Sequence, residues 1–256
     1  MHKSLTASVG LAGSLMLWNV AAAQADSKQR TVLVVVAHPD DELFIGPAIA
    51  AEARTGSQVH ILYATSGDVG PGVSGMDPGE ELASMRRQEA SCAAQALGAA
   101  PIFVNLGDGT LAHHPQGSES PAALLRERLH REIVDRRPDV VMTWGPDGGY
   151  GHADHRMVSA VSSEAIQSLD TYARPRLLYS AIVEGRMPDN TPFGRWAGTD
   201  PTLITVTYRY SEADLAAANT AAQCHETQFD AAARLQLMPF LAGMVWQGEV
   251  GFREAF

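Results

Sequence analysis

A histidine and three acidic residues follow directly behind an apolar run near the beginning of the chain. The run is Thr31–Val36, and the cluster behind it is His38-Pro39-Asp40-Asp41-Glu42. The run is short, uncharged and rich in β-branched residues, which predicts a buried strand. Open α/β sheets bind their ligands at the carboxyl ends of strands. Imidazole and carboxylate groups are costly to bury there without a partner, and a divalent cation is a natural partner for them.

A second cluster, Gly151-His152-Ala153-Asp154-His155, follows a later predicted strand. If both strands belong to one doubly wound sheet, the two clusters can face the same crevice. His38, Asp41 and His155 would then supply two imidazoles and one carboxylate. Catalytic zinc usually has three protein ligands and an open position, whereas structural zinc sites are closed and often contain cysteine. The pattern therefore predicts a catalytic divalent-metal site, and such donors would also accept Fe²⁺.

The segments that must position these clusters alternate between strand and helix patterns. The predicted strands are 31–36, 58–64, 102–105, 138–144, 176–183 and 202–208, and the predicted helices are 43–54, 78–97, 121–136, 155–169 and 211–237. This alternation favours parallel strands joined by right-handed crossovers. We therefore expect an α/β fold: a Rossmann-like, doubly wound, mostly parallel sheet flanked by helices in a single domain.

The two clusters, in this order, resemble the PIG-L/LmbE-like family of zinc-dependent N-acetylglucosaminyl deacetylases. Shorter landmarks of that family also occur, namely Thr65-x-Gly67, Met85-Arg86-x-x-Glu89, Leu106-Gly107-x-Gly109 and His225-x-x-Gln228. The resemblance covers most of the chain from Thr31 to about Gln228. It implies a deacetylase domain over residues 26–256 that removes the N-acetyl group of an N-acetylglucosamine-type sugar or glycoconjugate.

The resemblance also implies which residues bind the metal and which one acts as the base. His38, Asp41 and His155 would bind Zn²⁺, and Asp40 would be the general base for the metal-bound water. Zinc lowers the pKa of bound water to about 7 and polarises a carbonyl. A carboxylate that does not bind the metal must then accept the proton of that water.

Five further residues receive roles from the same resemblance. His152 is the expected electrophile or acid, oriented by Asp154, and Tyr150 is expected to help hold the oxyanion. Arg86 and Asp108 match positions associated with sugar binding.

Several of these residues also have plainer interpretations. Tyr150 could be an aromatic residue in a turn, Arg86 part of a solvated helix face, and Asp108 ordinary turn chemistry. Glu42 and His225 are expected to support the site rather than to act in it. Three other functions remain open: hydrolysis of a different N-acyl amide or an ester, a non-catalytic metal-containing glycan-binding module, and metal sequestration.

The net charge of the 256-residue chain is −10. A protein that binds nucleic acid through its phosphates needs a basic face, so the charge argues against a nucleic-acid partner. The acidity is interpreted as solubility.

The first 25 residues have the pattern of a secretory signal peptide. A basic start precedes the apolar stretch Leu5–Val20, and Ala23-Gln24-Ala25 forms a small-x-small cleavage site. The mature protein is expected to begin near Asp26 and to be secreted or periplasmic in a bacterium. No other stretch is long and apolar enough to span a membrane.

The chain has two cysteines, Cys92 and Cys224. In an oxidising compartment they could form a disulfide, and the alternative is a pair of buried thiols.

Overall fold

A computed structural model describes residues 1–2, 29–113, 117–191 and 194–256. The predicted signal peptide lies largely outside these residues. Within them, no helix has the length and apolar character needed to cross a bilayer.

One seven-stranded sheet organises the described chain. Its strands are β1 Thr31–Val36, β2 Gln58–Thr65, β3 Ala100–Leu106, β4 Val140–Thr143, β5 Arg176–Ala181, β6 Val206–Arg209 and β7 Glu249–Glu254. The spatial order is β3-β2-β1-β4-β5-β7-β6. The first five strands are parallel, and β7 pairs antiparallel with both β5 and β6. The strand order reverses between β1 and β4, so the loops after these neighbouring strands open onto one crevice.

Helices cover both faces of the sheet. They are α1 Gly46–Arg54, α2 Glu80–Ala96, α3 Pro121–Arg136, α4 Ala153–Gln167, α5 Glu212–Cys224 and α6 Ala231–Phe240, with short 3-10 turns at Asp41–Ile45, Thr171–Ala173 and Pro201–Leu203 and a π-helical turn at Leu241–Trp246. Alternate residues of β1 serve opposite faces, because successive side chains of a strand point to opposite sides. Val32 and Val34 pack with α1, α2 and α5, whereas Leu33 and Val35 pack with α3 and α4. The predicted fold class is therefore confirmed.

The single predicted helix 211–237 is wrong, because α5 ends at Cys224 and α6 begins at Ala231. The connecting segment turns His225 and Thr227 into the interior, where they meet the buried carboxylates of Glu42 and Glu89. A continuous helix could not satisfy both carboxylates in this way.

The predicted strand 202–208 begins too early, and β7 was not predicted. Residues 201–203 form a 3-10 turn after Asp200, and the strand starts at Val206. β7 contains two glutamates, an arginine and a glycine, and only Val250 and Phe252 of its six residues are buried. Two alternating apolar residues are too weak a pattern to predict a strand.

Candidate metal centre and active site

The turn after β1 aims Asp41 at the crevice. One carboxylate oxygen of Asp41, Oδ2, accepts hydrogen bonds of 2.9 Å from the backbone amides of both Ala37 and His38. The other oxygen, Oδ1, lies 3.1 Å from Nε2 of His155, which comes from the first turn of α4. The two predicted clusters therefore meet, as the adjacency of β1 and β4 requires.

Three donor atoms converge at this meeting point. Nδ1 of His38 lies 3.3 Å from Nε2 of His155 and 3.6 Å from the Asp41 carboxylate. Tetrahedral zinc with bonds of about 2.0–2.2 Å separates its ligand atoms by about 3.4 Å. His38, Asp41 and His155 are 7, 9 and 0% exposed, so His155 is not a surface histidine. Geometry, burial and donor types all fit a divalent metal.

Two more carboxylates lie on the far side of His38. Its Nε2 is 2.9 Å from Oδ1 of Asp108 and 3.5 Å from Oδ2 of Asp154. Asp154 is itself fixed by the backbone amides of Gly109 and Leu111. A carboxylate at the outer nitrogen of a metal-binding histidine sets the tautomer and orients the ring. The arrangement leaves Nδ1 of His38 for the metal.

These contacts change the interpretation of Asp108 and Asp154. Burial raises the pKa of the Asp108 carboxyl, but the contact with His38 and the charge of Arg86 outweigh burial and hold that pKa below its usual value. Asp108 is thus a charged partner of His38, and ordinary turn chemistry does not explain it. The expected orientation of His152 by Asp154 is provided by the backbone amide of Asp154, while its carboxylate lies against His38.

His152 lies beside the three donors. One ligand atom from each of His38, His152 and His155 lies within 4.8 Å of the others. Nδ1 of His152 accepts the Asp154 amide at 3.2 Å, which places the proton of the neutral ring on Nε2. Burial and the two neighbouring histidines lower the pKa of His152. The side chain is therefore a neutral donor at neutral pH.

Tyr150 lies at the edge of the same cluster. Its ring centre is 5.3 Å from that of His155 and 5.8 Å from that of His152, in edge-on contacts. It also lines the cavity that contains Asp40 and Asp41. This position places the phenol next to the proposed reaction centre.

Asp40 sits next to the donors with an unusual backbone. Its φ of 106° lies in the left-handed region, which a residue other than glycine seldom adopts. Burial raises the pKa of its carboxyl to about 6, although the charge of Arg86, 3.5 Å away, lowers it. A carboxyl with this pKa can accept and return a proton near neutral pH.

Arg86 is buried beneath Asp40. It is 3% exposed, so the interpretation as a solvated helix face is wrong. Its guanidinium donates to the backbone carbonyls of Pro39, Gly67 and Gly70. Gly67 has a φ of +67°, and a Cβ there would lie 2.2 Å from Nη1 of Arg86. Arg86 thus ties the Asp40 turn to the loop after β2, and its contact with a sugar stays a prediction.

Glu42 holds the backbone of Asp40, and His225 in turn pairs with Glu42. One carboxylate oxygen of Glu42 accepts the Asp40 amide at 3.0 Å, and the other pairs with Nε2 of His225. Both side chains are fully buried. The supporting role expected for them agrees with these contacts.

Some expected features lie away from the centre. His113 and His114 have side chains that suit a metal, but the Pro- and Ser-containing sequence around them predicts an exposed pair. His113 is exposed, and His114 lies outside the described residues. Cys92 and Cys224 form a disulfide between α2 and α5, with Cα atoms 5.8 Å apart. Cys92 is exposed, so the alternative of two buried thiols is wrong.

An aromatic wall adjoins the metal centre and was not predicted. The ring of Trp144 stacks on His155 at 4.4 Å, and the ring of Phe44 stacks on Trp196 at 4.8 Å. Phe44, Trp144 and Trp196 line a cavity of about 520 Å³ that is also lined by Asp40. Trp144 directly follows β4, and this position at a strand end is the sequence feature that could have indicated a site residue.

A family model described as GlcNAc-PI de-N-acetylase (PIG-L) matches residues 33–166, just over half of the chain. The matched residues include the three candidate metal ligands, His38, Asp41 and His155. A 1D-myo-inositol 2-acetamido-2-deoxy-alpha-D-glucopyranoside deacetylase from Rhodococcus erythropolis is 33% identical over 190 residues, covering 67% of this chain and 62% of the relative. The chain spans less than two thirds of the length of this relative and of similar deacetylases from Rhodococcus jostii and a Mycobacterium species.

Two solved structures share the fold. The N,N'-diacetylchitobiose deacetylase of Pyrococcus horikoshii has a TM-score of 0.64 at 19% identity, over 89% of this chain and 84% of that one. The 4-carboxy-2-hydroxymuconate hydratase of Pseudomonas putida KT2440 has a TM-score of 0.63 at 17% identity, over 89% and 97%. The fold thus occurs with more than one chemistry, and the residues of the site must decide between them.

Proposed function

Because the chain belongs to the PIG-L family of GlcNAc-PI de-N-acetylases, we propose that it is a zinc-dependent amidohydrolase that removes the acetyl group from an N-acetylglucosamine-type sugar. The observation that supports this most is the convergence of His38, Asp41 and His155 beside Asp40, a carboxylate outside the ligand set. A metal-sequestering or purely binding protein has no need of a proton acceptor there. The curated relatives named as deacetylases of a glucosaminyl inositol agree with the proposal.

The chain supplies the positions that amide hydrolysis needs. A zinc ion held by His38, Asp41 and His155 would lower the pKa of a water molecule and polarise the scissile carbonyl. Asp40 accepts the proton of the attacking water and returns it to the amine as the C–N bond breaks. The carbonyl oxygen gains negative charge during the attack, and Nε2–H of His152 and the Tyr150 hydroxyl are the donors for it.

Acetate release tests the proposal. The full chain, loaded with Zn²⁺, is incubated with an N-acetylglucosaminyl inositol, N,N'-diacetylchitobiose and methyl N-acetylglucosaminide. We expect acetate from at least one of them, and we expect His155→Ala to lose both bound zinc and activity. A protein that binds one zinc ion per chain and releases acetate neither from these three nor from the octyl N-acetylglucosaminides described below would overturn the proposal.

We further propose that the protein is exported and begins at Asp26. The signal-peptide pattern of residues 1–25 and the disulfide at an exposed cysteine support export, since disulfides persist in oxidising compartments. Expression of the full chain in a Gram-negative host, fractionation and N-terminal sequencing test it. Asp26 as the first residue of periplasmic protein is expected, and an intact Met1 in the cytoplasm is the contrary result.

A further inference from the structure

The cavity beside the metal centre is lined mostly by apolar side chains. Asp40 and Asp41 contribute carboxylates to its lining. The rings of Phe44, Trp144 and Trp196 form an aromatic zone of the same lining. Since Trp144 stacks on His155, this aromatic zone directly adjoins the donors.

A second apolar part of the lining, termed the outer zone, comes from α6 and its neighbours. Phe229, Leu237, Phe240 and Leu241, from α6 and the residues on either side of it, form this part of the wall. Phe240 is 39% exposed, which places it at the mouth. A few polar side chains, Asn190, Thr191 and Gln236, also line the cavity.

The size of the cavity shows that it receives more than an acetyl group. An acetyl group has two carbons, whereas the cavity has a volume of about 520 Å³. A sugar ring can place its C–H face on the aromatic zone. The outer zone then receives whatever is attached to the sugar.

The apolar lining of the outer zone determines which attached groups can bind there favourably. Polyhydroxylated groups such as inositol would lose hydrogen bonds to water there and find few replacements. An alkyl or aryl group would instead gain about 0.8 kcal/mol for each buried CH₂. The wall therefore complements an apolar group rather than a second polar ring.

We propose that the substrate is an N-acetylglucosaminide with an apolar aglycone, either an alkyl chain or an aryl group, seated against α6. This inference rests on the proposed deacetylase function. It differs from the glucosaminyl inositol named for the curated relatives.

The experiment compares aglycones at a constant acetylated sugar. Acetate release by the zinc-loaded full chain is measured for octyl and methyl N-acetylglucosaminides, in both anomers and below micelle-forming concentrations. Octanoate release is measured for N-octanoylglucosamine. We expect kcat/KM for the better octyl anomer to exceed that for its methyl counterpart at least tenfold. Binding of octyl N-acetylglucosaminide to the metal-free chain, followed by tryptophan fluorescence, gives a readout independent of turnover.

Variants of α6 locate the effect. Leu237→Gln places an amide in the outer wall, and Ala233→Phe fills the cavity without removing a packed side chain. Each should bring the octyl-to-methyl ratio to within threefold of one. The matched control is Leu235→Gln, which lies on the same helix, is 62% exposed and should leave the ratio unchanged.

The outcomes separate the two proposals. Acetate release from both glucosaminides at similar kcat/KM would overturn the apolar-aglycone inference and leave the deacetylase function standing. Faster hydrolysis of N-octanoylglucosamine than of any octyl glucosaminide would overturn it too, because the cavity would then receive the acyl chain. No acetate from any substrate would overturn the deacetylase function and the inference with it.

Discussion

The backbone of Asp40 has a left-handed conformation that residues other than glycine seldom adopt. Its left-handed φ is held on both sides: Glu42 accepts its amide, and Arg86 binds the carbonyl of Pro39 before it. Strained residues of this kind persist only where the surroundings enforce them. The turn thus holds the Asp40 carboxylate beside the candidate metal ligands, in the position of the proposed proton acceptor.

Glu42→Ala should lower kcat roughly 10- to 100-fold while one zinc ion per chain is still bound. Removing the carboxylate leaves the Asp40 amide and His225 without their partner, and the loss of an outer-shell partner at a metal site typically costs 10- to 100-fold in metal affinity or activity. Acetate-release kinetics and metal analysis measure the two effects separately. Glu52→Gln, at another buried carboxylate on α1, is the control. Loss of zinc together with activity would show that Glu42 holds the ligands instead.

Replacing Asp40 tests the strain directly. At most positions glycine is less stable than alanine, because it is more flexible in the unfolded chain. At a left-handed position the Cβ of alanine costs about 1–2 kcal/mol. Asp40→Gly should therefore unfold in urea with a free energy about 1 kcal/mol above that of Asp40→Ala. Ala232→Gly, on the exposed side of α6, should show the usual opposite sign, and a higher stability for Asp40→Ala would contradict the strain.

Site residues were predictable from sequence where they adjoin a strand end in a dense polar cluster. His38, Asp41 and His155 could be placed together because each cluster follows a recognisable strand of one predicted parallel sheet. The aromatic wall was not predictable, because Phe44, Trp144 and Trp196 come from three separate segments whose approach depends on tertiary packing. Arg86 was ambiguous for a similar reason: a helical arginine is usually solvated, and only the carbonyls of two loops make it a buried residue.

At the scale of elements, Asp214 joins α5 to α1. Ser211 is the N-cap of α5 and forms a capping box with Asp214. Asp214 also accepts two hydrogen bonds from the Arg54 guanidinium, although it is almost fully buried. Burial raises the pKa of its carboxyl, but Arg54 and Ser211 outweigh burial and lower that pKa overall. The charged carboxylate therefore stabilises the contact between the two helices.

Asp214→Asn should cost about 2 kcal/mol of unfolding free energy at pH 7, the typical value of a hydrogen-bonded charged partner. Because the pKa is lowered in the folded state, this stabilisation is present above the ordinary aspartate pKa of about 3.9 and is lost as the pH falls through the lower folded value. The gap between wild type and variant, measured by urea unfolding, should thus shrink towards pH 3. Asp135→Asn, on the exposed side of α3, is the control, and a gap independent of pH would contradict the charge assignment.

The alternation of strands and helices from β1 to β5 was readable because each strand contains a short apolar run, which is largely buried in β1, β2 and β4. Beyond β5 the pattern weakens. The break between α5 and α6 contains neither proline nor glycine, and it exists because His225 and Thr227 have carboxylate partners far away in the chain. Asp230, which caps α6, was the one local signal of a new helix.

At the scale of the whole molecule, the disulfide links residues 132 positions apart. A crosslink over so long a loop restricts the unfolded chain, and chain-entropy estimates give at most about 5 kcal/mol of stability. Cys92→Ala/Cys224→Ala should lose several kcal/mol in urea unfolding, and dithiothreitol should bring wild type to the same value. The double variant, which has no disulfide to reduce, should be insensitive to the reductant. Equal stability of oxidised wild type and the double variant would contradict a role for the crosslink.

The topology of the sheet brings the site residues together. Because the strand order reverses between β1 and β4, one crevice holds side chains from His38 to His155. Asp40 and Asp41, at this crevice, also line the apolar cavity. The proposed metal site, base and substrate cavity therefore all depend on one topological feature.

The most direct test of the proposed chemistry is the acetate-release rate of Asp40→Asn beside wild type, with zinc content measured on both samples. If Asp40 is the general base, kcat should fall by about 10²–10⁴-fold while both proteins bind one zinc ion per chain. An Asp40→Asn protein with wild-type kcat and full zinc content would contradict the account at its centre.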